Sequence, residues 1–128
     1  MDHVLIIEDD EIDQFVVKRL LSRMFPEIEL SFAFDGVEAI EWLEKNPTVP
    51  QAILLDIYMP RMNGLEFLAK YAPHHDGTIP VVIMLTSSDQ ARDKSEAMAY
   101  DFVSGYFEKP ITEENVKELI TYIERVSG

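Results

Sequence analysis

The sequence predicts an α/β fold: one doubly wound domain over residues 1–128, a five-stranded parallel sheet flanked by five helices. Three observations predict it. Apolar runs without internal alternation, Val4-Leu5-Ile6-Ile7, Ala52-Ile53-Leu54-Leu55 and Val81-Val82-Ile83-Met84-Leu85, read as strands buried on both faces. Between them lie longer segments with apolar residues at helical spacing. The runs also end in polar residues: Glu8-Asp9-Asp10, Asp56, Thr86, and Lys109 just beyond Gly105-Tyr106-Phe107. Strands that each deliver a polar group to the same end describe a site along the carboxyl edge of a parallel sheet.

Val4 to Ile7 is the first strand. Glu11 to Met24 follows as a helix, with Ile12, Phe15, Val16, Leu20 and Met24 as its expected apolar stripe, and Pro26 ends it. Ile28 to Ala33 is the second strand. Val37, Ala39, Ile40 and Leu43 mark a helix closed by Asn46-Pro47. That stripe is satisfied without Trp42, which is expected at a margin. Gln51 to Leu55 is the third strand. In the turn after it, Met59-Pro60-Arg61-Met62-Asn63-Gly64, Pro60 is expected to fix the approach and Gly64 to permit a tight turn into the next helix. Leu65, Phe67, Leu68 and Tyr71 form that helix's apolar face, and His74-His75 beyond it reads as exposed loop.

Pro80 opens the fourth strand, which runs to Leu85. The helix from about Gln90 to Met98 has a small apolar face (Ala91, Ala97, Met98), and weak burial makes it an expected mobile element. Val103 to Phe107 is the fifth strand. Thr112 is a candidate N-cap, with Glu113 and Glu114 in the first turn of a last helix through Val116, Leu119, Ile120, Ile123 and Val126. Alternation of this kind requires right-handed crossovers but leaves two doubly wound strand orders open.

Composition narrows the function. A chain of 128 residues with 47% hydrophobic content can bury a real core. The formal net charge of −13 disfavours nucleic acid and anionic membrane as direct partners. There is no cysteine, which excludes disulfides, thiolate nucleophiles and Cys-ligated zinc and is compatible with a cytoplasmic location. The N-terminal apolar run is too short, and too quickly followed by acid, for a signal peptide or a membrane span. His3, His74 and His75 do not form a convincing metal set. Three carboxylates, a hydroxyl and an ammonium at one sheet edge suit a divalent cation and a phosphoryl group.

In their order and placement these residues resemble the receiver domain of bacterial two-component response regulators, in its stand-alone, chemotaxis-regulator-like form. The matching pieces are Leu5-Ile6-Ile7-Glu8-Asp9-Asp10, Asp35-Gly36-Val37-Glu38-Ala39, Leu54-Leu55-Asp56-Ile57-Tyr58-Met59-Pro60, Met62-Asn63-Gly64, Leu85-Thr86-Ser87 and Gly105-Tyr106-Phe107-Glu108-Lys109-Pro110. They span essentially the whole chain. The resemblance implies the flavodoxin-like strand order 2-1-3-4-5, with Asp56 as the phosphoacceptor. It implies Mg2+ held by Asp9, Asp56 and the Tyr58 backbone carbonyl, with Glu8 acting through water. Asp10 is a lesser candidate, although residue type alone does not rank Asp9 above it. Lys109 is implied to contact the phosphoryl oxygens, and the Lys109-Pro110 bond to be cis. Thr86 is implied to hydrogen-bond the phosphoryl group, and Tyr106 to turn inward as Thr86 moves.

The implied partners are a histidine kinase or histidine phosphotransfer protein and an unidentified downstream protein. The first helix is the implied docking face for the kinase, and output is expected through a surface around the fourth helix, fifth strand and fifth helix. The chain would accept and lose a phosphoryl group without turning over an external substrate, as a stand-alone or excised receiver, and no output domain is expected within these 128 residues. Tyr58 and Ser88, two residues after Asp56 and Thr86, depart to types that affect hydrolysis, and a bulky Tyr58 is expected to shield the attacking water's path. Three rival readings are weaker. A phosphohydrolase with an Asp56 nucleophile needs a second acid that Asp56-Ile57-Tyr58 lacks. A flavodoxin-like cofactor binder needs a phosphate-cradling loop where three acids stand. A receiver-like module that is never phosphorylated does not need the intact charged set.

Overall fold

The computed structural model describes residues 2–87 and 91–127. The chain runs β1 (His3–Ile7), α1 (Glu11–Met24), β2 (Glu29–Ala33), α2 (Gly36–Lys45), β3 (Ala52–Asp56), α3 (Gly64–Tyr71), a 3-10 turn (Ala72–His74), β4 (Val81–Thr86), α4 (Ala91–Met98), β5 (Val103–Glu108) and α5 (Glu113–Ser127). Every expected element is present, with ends that differ only by the residue or two over which such boundaries are defined. The strands are all parallel and ordered β2-β1-β3-β4-β5. Because β2 and β3 lie on opposite sides of β1, a crevice opens at the carboxyl ends of β1 and β3.

Residues of β1, β3 and β4 alternate between two cores. Val4, Ile6, Leu54 and Ile83 pack with Val17 and Leu21 of α1 and with Val116, Leu119 and Ile123 of α5. Leu5, Ile7, Leu55 and Met84 pack with Ala39 of α2, Phe67 and Leu68 of α3, and Ala97 of α4. Both faces are covered, so these strands are apolar throughout. The edge strand β5 differs: Val103 and Phe107 are buried while Tyr106 is exposed. A register shift between Val82 and Ile83 leaves Ser104 as an extra residue on β5.

The stripe expected on α1 is corrected in part: Leu20 and Met24 pack against the core as expected, but Ile12 and Phe15 do not. The buried residues are Val17 and Leu21, whereas Ile12 is 74% and Phe15 60% exposed. Two overlapping i, i+3, i+4 sets exist on this helix, and the sheet accepts the one carrying Val17 and Leu21. On α4, Ala97 is buried but Met98 is exposed, which leaves an even smaller apolar face than expected. His75 is also not simple exposed loop: its ring stacks on Phe102 at 4.4 Å, and Nε2 lies 2.9 Å from the Pro80 carbonyl oxygen. The 3-10 turn after α3 swings it inward, while His74 stays exposed. Trp42 sits half-buried at the margin, edge-on to His3.

Side chains at the loop ends fix several helix starts. Asp10 caps α1, Asp35 caps α2, and Asn63 forms a reciprocal capping box with Glu66 at α3. Thr112 and Asn115 exchange the equivalent pair of bonds before α5. Among the described residues, no helix is long and apolar enough to cross a membrane.

Candidate functional site

The site forms where β1, β3, β4 and the residue after β5 end. Glu8 follows β1 and its amide still donates to the Ala33 carbonyl of β2, so the backbone continues straight and the side chain turns inward. It is fully buried, while the next residue, Asp9, is exposed. Asp56 ends β3, buried, with Oδ1 accepting from the Ile57 amide at 2.8 Å. One oxygen from each of Glu8, Asp9 and Asp56 lies within 4.8 Å of the others, a size and donor set that suit a hard divalent cation. The Asp10 carboxylate is committed elsewhere: Oδ1 accepts from the amides of Ile12 and Asp13 as the α1 cap.

Lys109 supplies the positive charge. Its amide donates to the Thr86 carbonyl at 2.8 Å, which ties the residue after β5 to the end of β4. The Nζ then reaches Glu8 Oε1 at 2.7 Å, Asp13 Oδ2 at 3.1 Å and Asp56 Oδ2 at 3.2 Å. The Lys109-Pro110 bond is cis, as the resemblance implied. Asp13, in the first turn of α1, is a site residue that sequence reading missed. The same misplaced stripe hid it, because a polar residue one turn beyond Asp9 falls on the site side only when Val17 faces the core.

One ammonium cannot neutralise this many acids in a dry crevice. Burial pushes the Glu8 carboxyl up to about 8, reinforced by the negative charge of Asp56 and opposed by Lys109. Burial also raises Asp56, opposed by Lys109 and by a hydrogen bond from Glu8. Burial alone would lower the Lys109 ammonium, but Glu8, Asp56 and Asp13 outweigh it and the net direction is upward, so Lys109 stays charged. Glu8 Oε1 makes no well-aligned hydrogen bond despite its short approach to Lys109. A divalent cation beside these carboxylates would oppose the upward shifts of Glu8 and Asp56.

A cavity of about 230 Å³ opens above Asp56, lined by the acids, Tyr58, Ser87 and Lys109. Thr86 is fully buried, and among the described residues its hydroxyl donates a long 3.5 Å bond to the Phe107 carbonyl. Tyr106 points outward beneath the Lys94 ammonium, 4.4 Å from the ring centre. Tyr58 is exposed at the mouth, its hydroxyl donating to Asp93 of α4. Ser88 lies outside the described residues.

The loop after β3 is held from two sides. Arg61 adopts φ 63° and places Nε 2.6 Å and Nη2 3.1 Å from the two carboxylate oxygens of buried Asp35. Burial would raise Asp35, but Arg61 outweighs it and holds this carboxyl below its usual range. Pro60 accepts from the Met62 amide at 2.7 Å. Gly64 permits the tight turn into α3 by close approach, because α3 starts directly against the Asp56 and Ile57 backbone; the left-handed residue of the turn is Arg61.

Comparison with known proteins agrees with this geometry. A family model described as the response regulator receiver domain matches residues 4–121. The chain is 31% identical over 121 residues to the chemotaxis protein CheY1 of Helicobacter pylori, covering 94% of each. It is 39% identical over 105 residues to a protein-glutamate methylesterase/protein-glutamine glutaminase 2 of Oleidesulfovibrio alaskensis; the match covers 78% of this chain but only 27% of that protein. A two-component response regulator structure from Cytophaga hutchinsonii superposes with a TM-score of 0.84 at 30% identity, covering 98% of both chains.

Proposed function

The chain belongs to the response regulator receiver domain family, and on that premise we propose that it is the phosphoacceptor of a two-component pathway, taking its phosphoryl group on Asp56. The observation that carries this reading is the meeting of Asp56 with Glu8, Asp9 and Lys109 at one sheet edge. An ionised Asp56 oxygen attacks the phosphorus of a phosphohistidine in a histidine kinase or phosphotransfer protein. The P–N bond breaks, its electron pair stays on the imidazole nitrogen, and an acyl phosphate forms on Asp56. Hydrolysis returns the carboxylate and releases inorganic phosphate.

The fit of the donor set favours Mg2+, held by Asp9, Asp56 and the Tyr58 carbonyl with Glu8 behind them. When bound it supplies charge neutralisation at the transferring phosphoryl group. The chain's own residues do the rest. The Ile57 amide and the packed strand orient Asp56. Lys109 follows the phosphoryl oxygens with a mobile point charge. The weakly held Thr86 hydroxyl turns to the new acceptor, and outward Tyr106 gains room to move inward. That rearrangement alters the face of α4, β5 and α5 and is read by a downstream protein.

Incubation with acetyl phosphate, with and without Mg2+, followed by intact mass, tests the reading. Here the P–O bond to acetate breaks and acetate leaves. One added phosphoryl group that requires Mg2+ and is lost in Asp56→Asn is the expected result. No gain, or a gain that survives Asp56→Asn, rejects it.

A further inference from the structure

The third contact of Lys109, to Asp13, belongs to neither the sheet edge nor the candidate cation site. Asp13 sits in the first turn of α1, fixed by its amide's bond to Asp10 Oδ1 at 3.0 Å. The adjoining Gln14 side chain donates to the Glu8 carbonyl, so this turn is attached to both the backbone and the charge centre of the site. A lysine ammonium has three N–H donors, and three carboxylates stand within 3.2 Å of Lys109: Glu8, Asp13 and Asp56. The Asp13 contact is a hydrogen bond as well as an ion pair, so one donor is directed to the α1 side before any phosphoryl group arrives.

We propose that Asp13 is a positioning residue that holds Lys109 on the α1 side of the site and must release it for Asp56 to be phosphorylated. The inference rests on the phosphoacceptor reading above and deepens it. A phosphoryl group on Asp56 brings strong acceptor oxygens and further negative charge, which draw the Lys109 ammonium toward Asp56 and stretch its contacts on the other sides. Glu8 is the costlier contact to lose, because it is fully buried. The Asp13 side chain is 32% exposed and is readily resolvated when the contact opens. The bond to Asp13 is therefore the one that breaks, and it favours the unphosphorylated state.

The test compares acetyl phosphate labelling rates at saturating Mg2+ for the wild-type chain, Asp13→Asn, Asp13→Glu and Glu11→Gln. Glu11 lies in the same turn and is not among the described ion-pair partners of Lys109, so its variant removes the same charge without touching that lysine. Asp13→Asn is expected to label about threefold faster than both the wild-type chain and Glu11→Gln, the scale of a part-exposed ion pair. Asp13→Glu, which still reaches Lys109, is expected to stay near the wild-type rate. The gain should persist at about 1 M salt, where the Debye length is about 3 Å and general repulsion of the anionic donor is screened. Equal rates for Asp13→Asn and Glu11→Gln, a gain that salt abolishes, or slower labelling of Asp13→Asn would overturn the inference while leaving Asp56 as acceptor. A wild-type chain that takes no phosphoryl group overturns both.

Discussion

A Cβ placed on Gly64 would stand 2.3 Å from the backbone oxygen of Asp56 and 2.9 Å from the Ile57 Cα. The Gly64 amide donates to the Ile57 carbonyl at 2.7 Å, so α3 begins directly against the strand end that carries the Asp56 carboxylate. The obstruction is backbone and cannot rotate away. Gly64→Ala is expected to destabilise the fold by about 1–3 kcal/mol through overpacking. It should also slow labelling of Asp56 in the protein that remains folded. Urea denaturation and acetyl phosphate labelling check the two effects separately.

Glu8 couples acidity to stability and to metal. Its carboxyl is shifted from an ordinary 4.5 to about 8 in the fold. Between those values the native chain holds a proton that the unfolded chain does not. The resulting stabilisation is complete below 4.5 and is lost as pH rises through 8. Metal-free protein should therefore lose this contribution across that window. Mg2+ favours the ionised carboxylates, so its binding should release protons and should raise the melting temperature more at about pH 8 than at about pH 6. Melting curves at both pH values, and calorimetry in buffers of different ionisation heat, check this. A pH-independent effect of Mg2+ contradicts it.

Tyr58 stands at the mouth of the cavity with its hydroxyl bonded to Asp93 on α4. A ring tethered there is expected to screen the approach of water to a phosphorylated Asp56. Tyr58→Ala is expected to shorten the phosphorylated lifetime by about fivefold, equivalent to about 1 kcal/mol of barrier, the scale of one hydrogen bond. The decay of the phosphorylated mass after donor removal reports it. A wild-type half-life of seconds in Mg2+ would show that the ring shields nothing.

The phase of α1 predicts an inverted mutational pattern. Phe15→Ala, at a site 60% exposed, is expected to change stability by no more than about 0.5 kcal/mol. Leu21→Ala, at a fully buried site, should cost about 2–5 kcal/mol. Chemical denaturation of both variants decides which stripe faces the sheet.

Much of this protein is legible in its residues. Val4-Ile7, Ala52-Leu55 and Val81-Leu85 announce strands because burial on both faces leaves no room for polar alternation. The polar residues that follow them mark one sheet edge, and resemblance selected one strand order from the two that alternation permits. Tertiary structure alone decided the rest. The stripe on α1 is whichever set meets the sheet, so Ile12 and Phe15 satisfied the periodicity and still lie in solvent. Arg61 takes the left-handed turn because buried Asp35, distant in sequence, holds its guanidinium. Asp13 joins Lys109 only because β1, β3 and the end of β5 bring their charges to one edge. Periodicity records which side chains can share a face; contact between faces depends on how the strands order themselves in space, and no local pattern carries that.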